Sequence, residues 1–201
     1  GREGVVMVPL TSLGVKKVGS GYMRDRDKSD GTLIHELTHQ LTPSDYYNPG
    51  AMGWFSEGLA EYLTATPYRN GRFKVKNTLE DITDYATAYG KKGNRGRALG
   101  TKISAPRLKD FMLMSYSEFT GPRANFNYGF GLMLTTYFMM LDGDGDAGHL
   151  KDFLKELRSI GRGGDSTKAV EKLLGGRTYE EMEKDVSKSW KRKGVKISFG
   201  E

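Results

Sequence analysis

The sequence predicts an α+β domain, a small N-terminal sheet followed by a mostly helical body, and three observations carry that expectation. The first 28 residues hold two short runs with β-branched residues, "GVVMVPL" (4–10) and "GVKKVGSGYM" (14–23), which read as strands of a small sheet or hairpin. From residue 29 onward, apolar residues recur at three- and four-residue spacing, the period of a helix with one buried face. Finally, "YGFGLMLTTYFMML" (128–141) is apolar almost all round, as a helix running through a core must be.

With 201 residues the chain can bury a substantial core as one domain. The expected division within 1–201 is N-terminal strands in 1–28, a pair of site helices in 29–66 and a mainly helical part in 67–201. "KSDGTLIHELTHQL" forms the first helix, with Ser29 or Asp30 as N-cap and Leu33, Ile34, Leu37 and Leu41 as a buried stripe; Pro43 ends it. A Pro/Gly/Asn-rich loop (43–53) leads to a second helix in "WFSEGLAEYLTAT", with Phe55, Leu59, Tyr62 and Leu63 on one side and a stop at Pro67. Glycines and basic residues dominate 68–104 around a short helix near Leu79 to Tyr89. "APRLKDFMLMSYSEF" (105–119) reads as one helix, His149 to Ile160 as an amphipathic one, and "STKAVEKLL" as another. "TYEEMEKDVSKSWKRKG" opens on a Thr178/Glu181 capping-box pattern.

Composition removes several classes of function. No run approaches the roughly 18 apolar residues of a membrane-spanning helix, so no membrane span is expected. The absence of cysteine removes disulfide frameworks and thiolate metal sites, so any metal must be held by His and carboxylate. The net charge of +6 is dispersed over Lys91, Lys92, Arg95 and Arg97 in one stretch and Lys188, Lys191, Arg192 and Lys193 in another. It reads as solvated loop and helix surface, and no nucleic-acid partner is expected. Because the chain opens on Gly1, its native N-terminus is expected to lie upstream.

The chemistry concentrates in "HELTH". His35 and His39, two of the three histidines, stand four residues apart, so a helix aims both imidazoles at one point about 2 Å away. Glu36 projects about 100° from His35, off the metal but near enough to take a proton from a metal-bound water. A catalytic zinc takes three protein ligands and leaves one position open. The candidate third ligand is Glu57 of "GWFSEGLAEY", after 17 intervening residues. Glu61, one turn further on, can accept a hydrogen bond from the other nitrogen of His35 or His39 and fix its tautomer. Two carboxylates at i and i+4 repel, and a dication between the two helices removes that objection.

HELTH followed by WFSEGLAEY resembles the gluzincin metallopeptidases, the group containing thermolysin and aminopeptidase N, and most closely the bacterial peptidase MA-like domains. The likeness extends to "LKDFMLMSYSEF", "NYGFGLMLTTYFMML" and "TYEEMEKDVSKSW", covering about residues 29 to 193. It implies a zincin-like catalytic fold with Zn2+ on His35, His39 and Glu57, and Glu36 as general base. It also implies a tyrosine hydroxyl on the oxyanion, and Tyr128 occupies the matching place. The aminopeptidase branch carries a G-x-M-E-N strand whose glutamate binds the substrate amine. "GSGYMRDRD" has no glutamate there, so an endopeptidase is expected.

The function expected is therefore zinc-dependent peptide hydrolysis by a monomer on a peptide or protein substrate. That substrate is expected to lie extended along "GVVMVPL" or "VGSGYM". The alternative is a catalytically silent peptide- or protein-binding module. The resemblance implies an extracellular or periplasmic location in a bacterium. "DGDGD" (142–146) begins like a calcium loop. Ala147 stands where that loop's glycine belongs and Phe153 where its glutamate belongs, so a helix-connecting turn is expected, with His149 in the first turn after it. "KKGNRGR" reads as a solvent loop.

Overall fold

A computed structural model describes residues 5–29, 31–46, 52–70, 72–74, 78–88, 96–161 and 164–200. The fold is α+β and mostly helical, with a two-stranded antiparallel sheet near the N-terminus. That ribbon pairs β1 (Leu13–Val18) with β2 (Gly21–Ser29). It is built one hairpin further along than expected: Val5–Pro9 is irregular, with Val5 76% and Met7 86% exposed. Gly19 supplies the positive φ (59°) for a two-residue reversal, so neighbouring segments pair at small loop-closure cost. Leu10–Ser12 forms a short 3-10 turn that separates the earlier run from β1.

Helices α1 (Thr32–Leu41) and α2 (Gly53–Ala65) follow. Ser29 is not the N-cap of α1, because it pairs with Leu13 at the end of β2; Gly31 caps the helix without a side-chain bond, and Asp30 lies outside the described residues. Both helices stop in the same way. Thr42 and Thr66 each precede a proline, whose ring pushes them to extended backbone (ψ 125° and 124°). Each threonine hydroxyl donates to the carbonyl four residues back, at 2.7 Å.

The remaining helices are α3 (Leu79–Thr87), α4 (Leu108–Met112), α5 (Tyr116–Phe119), α6 (Ala124–Met140), α7 (Gly148–Ile160), α8 (Thr167–Leu174) and α9 (Tyr179–Lys191). The buried helix expected at 128–141 is α6, every residue from Gly129 to Phe138 being buried. Against it lies α2, and a Cβ on Gly58 would fall 2.4 Å from the Gly131 carbonyl oxygen, so the two helices meet backbone to backbone. That contact fixes the height of the neighbouring Glu57 above the core.

Three further sequence expectations change. Residues 105–119 are not one helix: α4 ends at Met112, and Ser115 (ψ 153°) caps α5, its side chain accepting from the Glu118 N–H while the Glu118 carboxylate accepts from the Ser115 N–H. The chain after residue 29 also holds strands: β3 (Tyr68–Arg69) pairs with β4 (Arg72–Phe73), and β5 (Lys102–Ala105) runs parallel to β6 (Lys196–Phe199). These segments of two to four residues are too short to show a period. Lastly, the Leu33, Leu37 and Leu41 stripe is not buried (37%, 38% and 80% exposed). Helix α1 turns its imidazole face to α2, and Leu13 and Arg24 of the ribbon stand at the rim of the space beside its apolar stripe. The stripe thus walls an open apolar cavity of about 870 Å³ together with Phe55, Leu59 and Leu63.

The "DGDGD" segment is a helix-connecting turn. Asp142 is buried, its carboxylate accepting from the Tyr137 hydroxyl (3.0 Å) and from Arg177 (2.8 Å) and pairing with His149 Nδ1 (2.8 Å). His149 is in the first turn of α7, where its ring braces this loop. Among the described residues no helix is long and apolar enough to cross a membrane.

Candidate metal centre

On α1, the four-residue spacing of His35 and His39 sends both Nε2 atoms to one side, 3.2 Å apart. On α2, Glu57 brings Oε2 to 3.1 Å from the first and 3.2 Å from the second. These three atoms therefore form a nearly equilateral triangle between the helices. A tetrahedral ion with bonds of about 2.0–2.1 Å requires ligand-to-ligand edges of about 3.3 Å, so the set fits a metal without rearrangement. The side chains are largely shielded, 14% exposed for His35, 23% for His39 and 5% for Glu57. His35, His39 and Glu57 could thus hold a metal ion.

Glu61 takes the supporting position that the spacing suggested. Its Oε1 lies 3.0 Å from His35 Nδ1, which keeps a proton on Nδ1 and leaves the Nε2 lone pair for a ligand. Glu61 itself is 1% exposed and needs a counter-charge. Arg97 provides it: Nε donates to Oε2 at 2.6 Å and a terminal nitrogen donates to Oε1. The Arg97 strand of chain is fixed by its own N–H on the Tyr85 carbonyl and by Asn125, whose amide donates to the Arg97 carbonyl at 2.9 Å. Its guanidinium also lies 4.9 Å from the centre of the Tyr128 ring.

Two tyrosines complete the surroundings. Tyr116, first residue of α5, donates its hydroxyl to Glu57 Oε1 at 2.9 Å. Tyr128, in the second turn of α6, packs its ring 6.0 Å from that of His35. The expected tyrosine therefore meets the cluster through its ring, against His35. Burial, then the charge of Glu57, pushes the Tyr116 phenol up to about 12, and the same two causes raise Tyr128. Glu36 is partly buried and outside the ligand triangle, and its charge is felt at the Tyr116 phenol.

Arg97, Asn125 and Tyr116 were missed by sequence reasoning as site residues. Nothing in a Gly-rich basic stretch distinguishes the arginine that turns inward from the other basic residues of that stretch. Tyr116 had a usable signal: Ser115 and Glu118 stand at capping-box spacing, which marks a new helix start one residue before it.

In the metal-free protein the His35 imidazole holds its proton tightly, whereas the Glu57 carboxyl gives its proton up readily. Burial alone would lower His35, but its contacts with Glu57 and Glu61 outweigh that and raise it to about 9. For Glu57 burial would raise the value, and hydrogen bonds from His35, His39 and Tyr116 bring it down to about 2. A raised histidine stabilises the fold fully below its ordinary 6.5 and loses that contribution as pH rises through 9. A depressed glutamate stabilises above its ordinary 4.5 and loses the contribution as pH falls through 2. The metal-free protein is accordingly expected to melt highest between about pH 4.5 and 6.5 and to weaken toward pH 9, as calorimetric scans after chelator treatment would register. A melting temperature still climbing from pH 6.5 to 9 would contradict the assignment.

Comparison with protein families, with curated proteins and with solved structures finds no match to this chain.

Proposed function

We propose that this protein is a zinc-dependent endopeptidase of the gluzincin type. One observation carries the reading: His35 Nε2, His39 Nε2 and Glu57 Oε2 make a triangle with edges of 3.1–3.2 Å, on the two helices whose sequences resemble that group. Two imidazoles and one carboxylate, without thiolate, form a donor set used by catalytic zinc, three ligands leaving one position for water. Zinc bound there would polarise a carbonyl and acidify a water.

The roles of the chain's own groups follow from their positions. Glu36, displaced about 100° around α1 from His35, is kept from the ligand set and retains its carboxylate for proton transfer. It accepts the proton of the attacking water and delivers it to the nitrogen of the leaving amine. Tyr116 and Tyr128, with phenols raised well above neutral pH, remain hydrogen-bond donors throughout. Tyr128, its ring against that of His35, is the group that would donate to the oxyanion.

Metal analysis together with a mixed-peptide digestion assay tests the reading. The expected result is one zinc per chain and cleavage that stops with a chelator and returns with added zinc. A protein that takes up no zinc overturns the proposal. Zinc uptake without cleavage replaces it with a peptide- or protein-binding module.

A further inference from the structure

We propose that Tyr116 is a positioning residue of the metal centre: its hydroxyl occupies Oε1 of Glu57 and so confines that carboxylate to one-oxygen ligation through Oε2. The inference rests on reading His35, His39 and Glu57 as a metal site. A carboxylate with both oxygens free can embrace an ion with two bonds, which would use up the position meant for water. In this protein the two oxygens are divided. Oε2 faces the imidazoles at 3.1 and 3.2 Å, while Oε1 accepts from Tyr116 at 2.9 Å.

Three features set this contact apart from an incidental one. Tyrosine at a surface ordinarily buries its ring and leaves its hydroxyl in water. Tyr116 does the reverse, with 48% of the residue exposed and its polar tip directed inward onto a 3%-exposed glutamate. The short helix α5 that carries it is held at both ends. The capping box of Ser115 and Glu118 defines its start, and fully buried Phe119 defines its finish. The Phe119 ring lies against Gly53, where a Cβ would come within 2.9 Å of it, at the first turn of the helix that carries Glu57. Tyr128 supports the arrangement from behind, its ring 5.5 Å from that of Phe119. Hydroxyl, carboxylate and the two helices bearing them are thus locked in one register.

Tyr116→Phe tests the proposal, because it removes the hydroxyl and keeps a half-exposed ring; Tyr22→Phe, on the exposed face of β2, serves as control. Zinc affinity is read by competition with a chromophoric chelator, and coordination by the visible spectrum of the Co2+-loaded protein. Tyr116→Phe is expected to weaken zinc by about 10–100-fold. Its Co2+ absorption should also weaken, as an added oxygen ligand raises the coordination number, while the metal-free melting temperature falls only by the loss of one hydrogen bond and the control stays at wild-type values. Wild-type affinity with a wild-type Co2+ spectrum overturns the proposal. So does weaker binding with an unchanged spectrum, which would make the hydroxyl merely structural. A wild-type protein that takes up neither Zn2+ nor Co2+ overturns the metal reading itself and this inference with it.

Discussion

Glu36→Gln is expected to leave zinc uptake at the wild-type level and to lower peptide cleavage by about 10²–10⁴-fold, the usual contribution of a positioned general base. The amide matches the carboxylate in shape and suits a helix, so α1 should keep its position on α2. The three converging ligand atoms belong to His35, His39 and Glu57, and Glu36 is not among them. Zinc analysis and the digestion assay on the same preparation separate the two roles. Loss of zinc in Glu36→Gln would mean that this carboxylate is a ligand. Retained cleavage would mean that proton transfer runs through another group. Glu57→Gln offers the contrasting case, since its Oε2 is part of the triangle and metal affinity should fall first.

The parts of this site that were legible in the sequence are those that helix periodicity encodes. His35 with His39, and Glu57 with Glu61, are pairs four residues apart, and the period alone puts each pair on one face. Both helices also announce their ends through Thr-Pro. Periodicity could not show what arrives from distant segments without a motif of its own. Arg97 reaches Glu61 across 36 residues and Tyr116 reaches Glu57 across 59, each set by tertiary packing. The small strands failed for a related reason. In β6, Lys196–Phe199, the alternation of buried Ile197 with exposed neighbours spans four residues, and its partner is β5, some ninety residues earlier in the chain. The N-terminal ribbon was foreseen in kind and misplaced in register because β-branched content favoured Val5–Val8, whereas closure was decided by Gly19. The apolar stripe of α1 shows the limit of the pattern itself: a helix can carry an apolar face that the described residues leave half open.

The same long-range contact makes Arg97 the most sensitive structural position of the site. Arg97→Met is expected to lower the unfolding free energy by about 3–5 kcal/mol, because it removes one partner of a buried ion pair and keeps the other charge. Glu61 is 1% exposed, and Arg97 meets both of its oxygens. Burial would raise the Glu61 carboxyl; the hydrogen bonds from His35 and Arg97 are what hold it below its ordinary value. Without the guanidinium, Glu61 must take up a proton or lean on His35 alone, and either choice disturbs the ring that presents Nε2 to the metal. Adding Glu61→Gln to Arg97→Met should then restore stability, since no unpaired charge remains, and should restore zinc affinity in part, since the amide oxygen still accepts from His35 Nδ1. Denaturant melts and chelator competition on the single and double variants measure both quantities. A single variant within about 1 kcal/mol of wild type would show that the Arg97–Glu61 pair contributes no more than an exposed one. A double variant that regains stability and zinc affinity together would tie the strength of the metal site to the electrostatics of a residue that never touches it.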